Sequence, residues 1–444
     1  MHKRVFSVGV LLTGLLLLVA PELMFSQPQK QWRVNGSRLN DHLQTLHKLV
    51  AKVSGKASRV AFSDADRTGR SYVINLMRAA GLETQIDHAG NIMGRRAGRA
   101  SGSAPLMLGS HLDSVPDGGL YDGPLGVMAA IEVAQTLHEH NYVTSHPLEI
   151  VVFQNEEGGK TGSRLLSGEV MDKEFDLITS SGKTIRDGIR SIGGDPDRLE
   201  QIRRRPGEIA AYLELHIEQG AVLDSKDISI GVVEGIVGIK RWNVSIEGFA
   251  NHAGTTPMNK RQDALLAAAR FIEAVNKIVT ETPGRQVGTV GQIQALPGAP
   301  NVIPGKVNLS LELRDLDMGK IDDLYQHIAS AGQNIAQGTG TSINFEHFYT
   351  SRAALTHTRI RQLISEAAVG LGLSAMQMPS GAGHDAQSIA RLAPIGMIFI
   401  PSVDGISHSP KEFSRPQDIA DGANVLLQTT LTVDAALEHL SSRR

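Results

Sequence analysis

Leu106-Met107-Leu108-Gly109-Ser110-His111-Leu112-Asp113-Ser114-Val115 opens on an apolar run and closes on a histidine and an acid two positions apart. An apolar run bounded by polar and glycine residues reads as a strand buried on both faces, the habit of parallel sheets covered by helices. Open α/β sheets gather their ligands at the carboxyl ends of strands, where His111 falls. The design recurs along the chain. Leu148 to Gln154 leads into Asn155-Glu156-Glu157, Ala211 to His216 ends on a histidine, and Ile395 to Ile400 precedes Ser407-His408-Ser409. Helical patterns near Gly126 to His138 and before Arg203 separate these runs, which predicts βαβ units.

Between about 238 and 350 the pattern changes to strand, helix, strand, strand, helix, strand: Lys240 to Glu247, Asp263 to Ile278, Val287 to Leu296, Val307 to Asp315, Lys320 to Ala336 and Ser342 to Tyr349. That order makes a compact α+β unit by itself. A long helix from Pro416 towards His439 closes the chain. The expected fold is therefore α/β: a mixed, mostly parallel sheet with helices on both faces, in two segments, 28–237 and 351–444, interrupted by a smaller α+β domain, 238–350.

The head of the chain differs. Lys3 and Arg4 precede an apolar run from Val5 to Ala20, followed by Pro21. Residues 1–26 are expected to be a secretory leader, with an exported, periplasmic or secreted mature protein. The run is shorter than the roughly 20 residues of a membrane span, so no stable span is expected after cleavage.

Composition narrows the chemistry. The 444 residues include no cysteine, which removes thiol catalysis, thiolate zinc sites and iron–sulfur clusters and leaves any metal to His, Asp and Glu. A net charge of -2 and 4% aromatic residues offer neither a basic field nor stacking platforms, so nucleic acid is not an expected partner.

Sixteen histidines mean that context must select the ligands. His111, the Glu156-Glu157 pair, His216 and His408 each follow a core-type strand. Asp122, in Gly118-Gly119-Leu120-Tyr121-Asp122-Gly123, opens the next helix, where a carboxylate can cap the helix or bridge two cations. Asp113 lies near enough to His111 to accept the imidazole's second N–H. Three His and two carboxylates suit two divalent ions per subunit, Zn²⁺ or Mn²⁺, Co²⁺ or Ni²⁺. Ions about 3.5 to 4 Å apart can share a water and polarise a carbonyl oxygen. Glu156 is then free to act as the proton shuttle while Glu157 binds metal.

In this order the runs Gly109-Ser110-His111-Leu112-Asp113-Ser114-Val115, Tyr121-Asp122-Gly123, Asn155-Glu156-Glu157-Gly158 and His216-Ile217-Glu218-Gln219-Gly220 resemble the M20 family of dinuclear metallohydrolases. Asn251-His252-Ala253-Gly254, Pro300-Asn301-Val302-Ile303-Pro304-Gly305, Gly383-His384-Asp385-Ala386 and Ser407-His408-Ser409 extend the likeness over about residues 35–440. Within the family the chain is most similar to the amidase, hydantoinase and carbamoylase group. The resemblance implies His111, Asp122, Glu157, His216 and His408 as metal ligands, with Asp122 bridging, and Glu156 as general acid/base. It implies Gln219, His252, Asn301 and Arg314 as substrate contacts, with His252 donating to a developing oxyanion. Arg314 either offers a planar fork to a substrate carboxylate or pairs with Asp315 or Asp317. It implies further that the inserted domain is a lid through which the chain forms a homodimer.

The expected activity is hydrolysis of a linear, non-peptide C–N bond in a small carboxylated ureido compound, such as an N-carbamoyl amino acid, by a dimetal-bridging water. The rival is an exported aminopeptidase or aminoacylase. His216 argues against it, because peptidases and deacylases of the family generally place Asp or Glu at that ligand. The chain departs from the family where Gly159-Lys160-Thr161 intervenes before Gly162-Ser163-Arg164 and Leu165 replaces an aromatic residue.

Overall fold

The computed structural model describes residues 32–56 and 58–441, together with His2. The leader read over 1–26 lies, but for His2, outside the described residues. No helix among them is long and apolar enough to cross a membrane.

The larger sheet has nine strands: β1 (Glu83–Ile86), β2 (Ile92–Arg96), β3 (Leu106–His111), β4 (Leu148–Phe153), β5 (Ala211–Ile217), β6 (Ile230–Ile236), β14 (Ala354–Leu355), β15 (Ala375–Ser380) and β16 (Ile395–Ile400). Its centre, β4-β3-β5-β16, is parallel, and β2, β6 and β14 join antiparallel. Every residue of β3, β4, β5 and β16 is buried, as apolar runs covered on both faces require. Two acids pass through this interior with partners: Glu149 meets Arg204 at 3.0 Å, and Glu214 accepts the Ser110 hydroxyl at 2.8 Å. The helix Pro124–Glu139 begins with proline directly after Gly123 and is buried along most of its length. Its close approach depends on Gly126, where a Cβ would lie 2.3 Å from the Leu215 carbonyl oxygen.

The second sheet begins where the chain leaves β6. Strands β7 (Gly238–Glu247), β9 (Val287–Thr289), β10 (Ile293–Leu296), β12 (Lys306–Asp315) and β13 (Ser342–Ser351) pair antiparallel. Strand β7 buries Trp242, Val244 and Ile246, and β12 buries Val307, Leu309, Leu311 and Leu313. This period of two turns one face to the helices Ala264–Glu281 and Met318–Thr339, with Phe271, Leu324 and Ile328 completing a core distinct from that of the larger sheet. The single run expected over Val287 to Leu296 is two strands, separated at 290–292. A short ribbon pairs β8 (Asn251–His252) with β11 (Val302–Ile303). The chain re-enters the larger sheet at β14.

Candidate metal centre

Asp122 is the hub. Its Oδ1 lies 3.6 Å from His111 Nε2 and 3.3 Å from His216 Nε2, while its Oδ2 lies 3.1 Å from His408 Nε2. Glu157 Oε2 is 3.6 Å from the same His408 nitrogen. The ligand atoms of His111, Asp122 and His216 form one cluster, and those of Asp122, Glu157 and His408 a second that shares Asp122. Thus the five residues expected as ligands, drawn from separate strand ends and loops, converge on two adjoining positions that could each hold an ion.

Hydrogen bonds decide which nitrogen each buried imidazole presents. His111 Nδ1 donates to the Asp113 backbone carbonyl at 3.0 Å, and His216 Nδ1 to that of Ile217 at 2.9 Å. Both rings therefore turn Nε2 towards Asp122. Among the described residues His216 Nε2 is buried and makes no well-aligned hydrogen bond, its nearest partner being Asp122 Oδ1 at 3.3 Å, and a cation between the two would satisfy both. Three imidazole nitrogens and two carboxylates fit a pair of borderline divalent ions.

The charges are arranged accordingly. Burial opposes ionisation of Asp122, but His216, His408 and His111 outweigh it and hold the carboxyl well below its usual range. Burial pushes the His216 imidazole down, yet the adjacent Asp122 carboxylate lifts it to about 9. The hydrogen bond to Asp122 likewise lifts His408 to about 9. His111, buried and beside another imidazole, falls to about 4. Burial, then the charge of Asp122, raises Glu157 to about 7. Burial, with Asp385 and Glu157 nearby, pushes Glu156 well above the carboxylate range.

Glu156 Oε2 stands 3.9 Å from His111 Nε2, at the edge of the cluster. Asp113 supports it differently from the sequence expectation. The Asp113 carboxylate is 3.9 Å from His111 Nδ1, which takes the backbone oxygen instead, and it accepts the N–H groups of Glu156 (3.1 Å) and Glu157 (3.2 Å). Each carboxylate oxygen takes one amide from a loop 43 and 44 positions further along the chain, so Asp113 sets the orientation of the acid pair. His384, buried with its ring 4.5 Å from that of His216, bonds the Ser380 hydroxyl at 2.8 Å and walls the cluster.

Several residues here hold left-handed backbone: Asn155, Lys160, Gln219 and His408 have φ of 52°, 57°, 58° and 53°. Such strain gathers at functional sites, where the surroundings impose it. The segment Gly159-Lys160-Thr161 is part of this: Lys160 precedes the helix Thr161–Ser167, is half-buried and hydrogen-bonds Gln387.

Of the substrate contacts expected, Gln219 is at the cluster, its Nε2 donating to Asp122 Oδ2 at 2.7 Å. His252, Asn301 and Arg314 are on the second sheet and its ribbon, and make no hydrogen bond to the cluster among the described residues. His252 is exposed, and its Nδ1 accepts the N–H groups of Gly254 (3.0 Å) and Thr255 (3.3 Å), leaving Nε2 as the donor. The Asn301 carbonyl accepts the Ala253 N–H. Arg314 pairs with neither Asp315 nor Asp317: its Nε donates to Glu312 at 2.7 Å and its Nη1 to the Gly381 carbonyl, bridging the two sheets.

Glu412 escaped the sequence reading. It is buried, accepts the backbone N–H of Tyr121 (2.8 Å) and Asp122 (3.0 Å) and the Ser407 hydroxyl (3.0 Å), and so fixes the loops carrying Asp122 and His408. Arg59, fully buried, donates to the carbonyls of Leu112 and Gly119 on the loop that leads from His111 to Asp122. No strand-end pattern marks either residue.

Comparison with known proteins agrees with this geometry. Residues 107–432 match the model of peptidase family M20/M25/M40. The N-carbamoyl-L-amino acid amidohydrolase of Geobacillus stearothermophilus is 40% identical, the match covering 89% of this chain and 98% of that one. The ureidoglycolate hydrolase of Arabidopsis thaliana is 36% identical over 89% of this chain and 86% of its own. The crystal structure of an amidase of the hydantoinase/carbamoylase family from Burkholderia multivorans superposes with a TM-score of 0.83 at 35% identity, covering 90% of this chain and 98% of that one. The chain belongs to peptidase family M20/M25/M40, within its hydantoinase/carbamoylase group of amidases.

Proposed function

We propose that this protein hydrolyses the linear C–N bond of small carboxylated ureido compounds, N-carbamoyl amino acids first among them. It is a metal-dependent amidohydrolase, acting on carbon–nitrogen bonds other than peptide bonds. The observation that supports a two-ion mechanism is the placement of Asp122, one oxygen towards His111 and His216 and the other towards His408, and the ureido substrate class is supported by the likeness to the carbamoyl amino acid and ureidoglycolate hydrolases.

Two bound divalent ions, Zn²⁺ or Mn²⁺, Co²⁺ or Ni²⁺, would supply a Lewis acid for the carbonyl oxygen and a water of lowered pKa. The protein's own groups do the rest. Asp113 fixes the Glu156 backbone, and Glu156 Oε2 takes the proton of the attacking water as its oxygen bonds to the carbonyl carbon. Glu156 then gives that proton to the leaving nitrogen as the C–N bond breaks, releasing the amino acid and carbamic acid; the carbamic acid breaks its own C–N bond to give ammonia and carbon dioxide, so that a carbamoyl amino acid and one water yield all three products. Gln219 orients the substrate beside Asp122. Arg314, steadied by Glu312 through Nε and by the Gly381 carbonyl through Nη1, engages the substrate carboxylate through Nη2, and His252 Nε2 and Asn301 reach the substrate when the second domain, 238–350, acts as a lid or a second copy of a homodimer supplies them. Export after removal of residues 1–26 completes the proposal.

The test loads purified protein with each ion in turn and measures ammonia from N-carbamoyl amino acids, β-ureido acids and allantoate, against amine from matched N-acyl amino acids and dipeptides. Ammonia release from the ureido compounds is expected. Faster cleavage of the acyl or dipeptide substrates would overturn the reading in favour of an aminoacylase or aminopeptidase.

A further inference from the structure

Beside the metal centre, on the side of Glu157, lies a cavity of about 280 Å³. Its lining is mixed: Asp113, Ser114, Asn155, Glu157, Thr179 and Ser180 are polar, and Val60, Ala61, Val115, Pro116, Leu177, Ile178 and Ile185 give the larger, apolar part. The two sides are joined directly, because the Val115 N–H donates to Glu157 Oε1 at 3.3 Å.

Leu177 and Ile178 are 57% and 76% exposed, adjacent apolar side chains that the fold leaves uncovered. They are held there by a small hairpin: Ile185 N–H donates to the Leu177 carbonyl at 3.0 Å and Thr179 N–H to that of Lys183 at 2.8 Å. The Lys183 ammonium pins the hairpin to the Phe62 carbonyl at 2.8 Å. Single exposed apolar residues need no explanation, but an ordered apolar wall facing a cavity that also contains a metal-ligating carboxylate does.

We propose that this cavity is the side-chain subsite of the reaction and takes an aliphatic side chain of valine or leucine size. The inference rests on the ureido-acid reading above. In such a substrate the scissile carbonyl bears only an NH₂ group on its far side, and the carboxylate requires a cation. The sole apolar part is the group on Cα. A cavity of about 280 Å³ lies at the lower edge of the roughly 300–1,000 Å³ of small-molecule pockets and has room for an aliphatic side chain of leucine size. Compounds whose Cα bears a hydroxyl or a second ureido group would bring it against Val60, Ala61 and Val115, where it loses water unless a polar lining group replaces it. The chain is thereby a hydrolase of aliphatic N-carbamoyl amino acids and a poor one for ureidoglycolate or allantoate.

The test compares kcat/KM for N-carbamoyl derivatives of glycine, L-leucine and L-asparagine, the last nearly isosteric with leucine, in the metal-loaded full chain. Leucine is expected to exceed both glycine and asparagine by roughly tenfold or more. In Leu177→Asn and Ile178→Asn the leucine-to-glycine ratio should fall by roughly tenfold at unchanged metal content, whereas Val369→Asn, on the distant helix Thr358–Gly370, should leave the ratio as it is. Equal hydrolysis of the leucine and asparagine derivatives by the native chain overturns the proposal without any variant, and so does a ratio unmoved in both variants. Failure of the underlying reading has a different signature, no ammonia from any ureido acid, and it removes the subsite with it.

Discussion

Glu412 Oε1 accepts the backbone N–H of Asp122 at 3.0 Å across 290 positions of sequence, so a loop near the end of the chain fixes the carboxylate on which the metal centre turns. The same oxygen accepts the Tyr121 N–H, and Oε2 accepts Ser407, next to His408. Glu412 reaches the ions only through these neighbours. Glu412→Ala should lower metal affinity by roughly 10- to 100-fold, the usual cost of losing an outer-shell partner, with Glu412→Gln milder because it keeps one acceptor. Metal titration monitored by calorimetry checks this; equal affinity in the alanine variant would remove Glu412 from the account.

Metal binding should also depend on pH in a defined direction. Ligands must be deprotonated, and without ions Asp122 holds His216 and His408 at about 9. Below that value both imidazoles carry protons that the ions have to displace. Affinity is therefore expected to rise with pH and to level off above about 9, with proton release at pH 7 visible in buffers of different ionisation enthalpy. Metal uptake without proton release would contradict this.

Gly123 has φ of 82°, and a Cβ on it would lie 2.4 Å from His111 Cε1. Gly123→Ala combines about 1–2 kcal/mol of left-handed strain with displacement of a ligand. The variant should melt lower and bind metal more weakly than the native chain, read by thermal denaturation with and without added ion. An unaltered ion-induced shift in Tm would show that His111 has room to move.

How much of this was legible follows from the local signals. His111, Glu157 and His216 end apolar strands, so the sequence carried a marker for each, and Asp122 and His408 followed from the motifs around them. The helix Pro124–Glu139 and strands β7 and β12 were visible because burial on all sides or on alternate residues leaves a periodic trace. Glu412 and Arg59 act from loops, where no period exists and the partners are backbone amides and carbonyls. The true role of the Asp113 carboxylate was hidden for the same reason, since spacing shows that it is near His111 but not which donors the turn at Glu156 presents. Arg314 could not be paired from sequence either: Glu312, its partner, is on the same strand two residues earlier, a same-face relation that only a settled strand makes evident.

The second sheet has its own core, and its stability should be separable from the metal centre. Phe271 is fully buried between the two helices and β13. Phe271→Ala is expected to cost about 3–5 kcal/mol in denaturant unfolding while the metal stoichiometry of the folded protein stays the same. Loss of bound ions in the folded variant would mean that the second sheet supports the centre directly.

The central claim is that Glu156 moves the proton at a centre built on Asp122, and one comparison tests it most directly: steady-state ammonia release from an N-carbamoyl amino acid by native protein and by Glu156→Gln, with metal content measured on the same samples. The account predicts two ions per chain in both and turnover lower in the variant by on the order of a hundredfold or more. Equal turnover at equal metal content would contradict it.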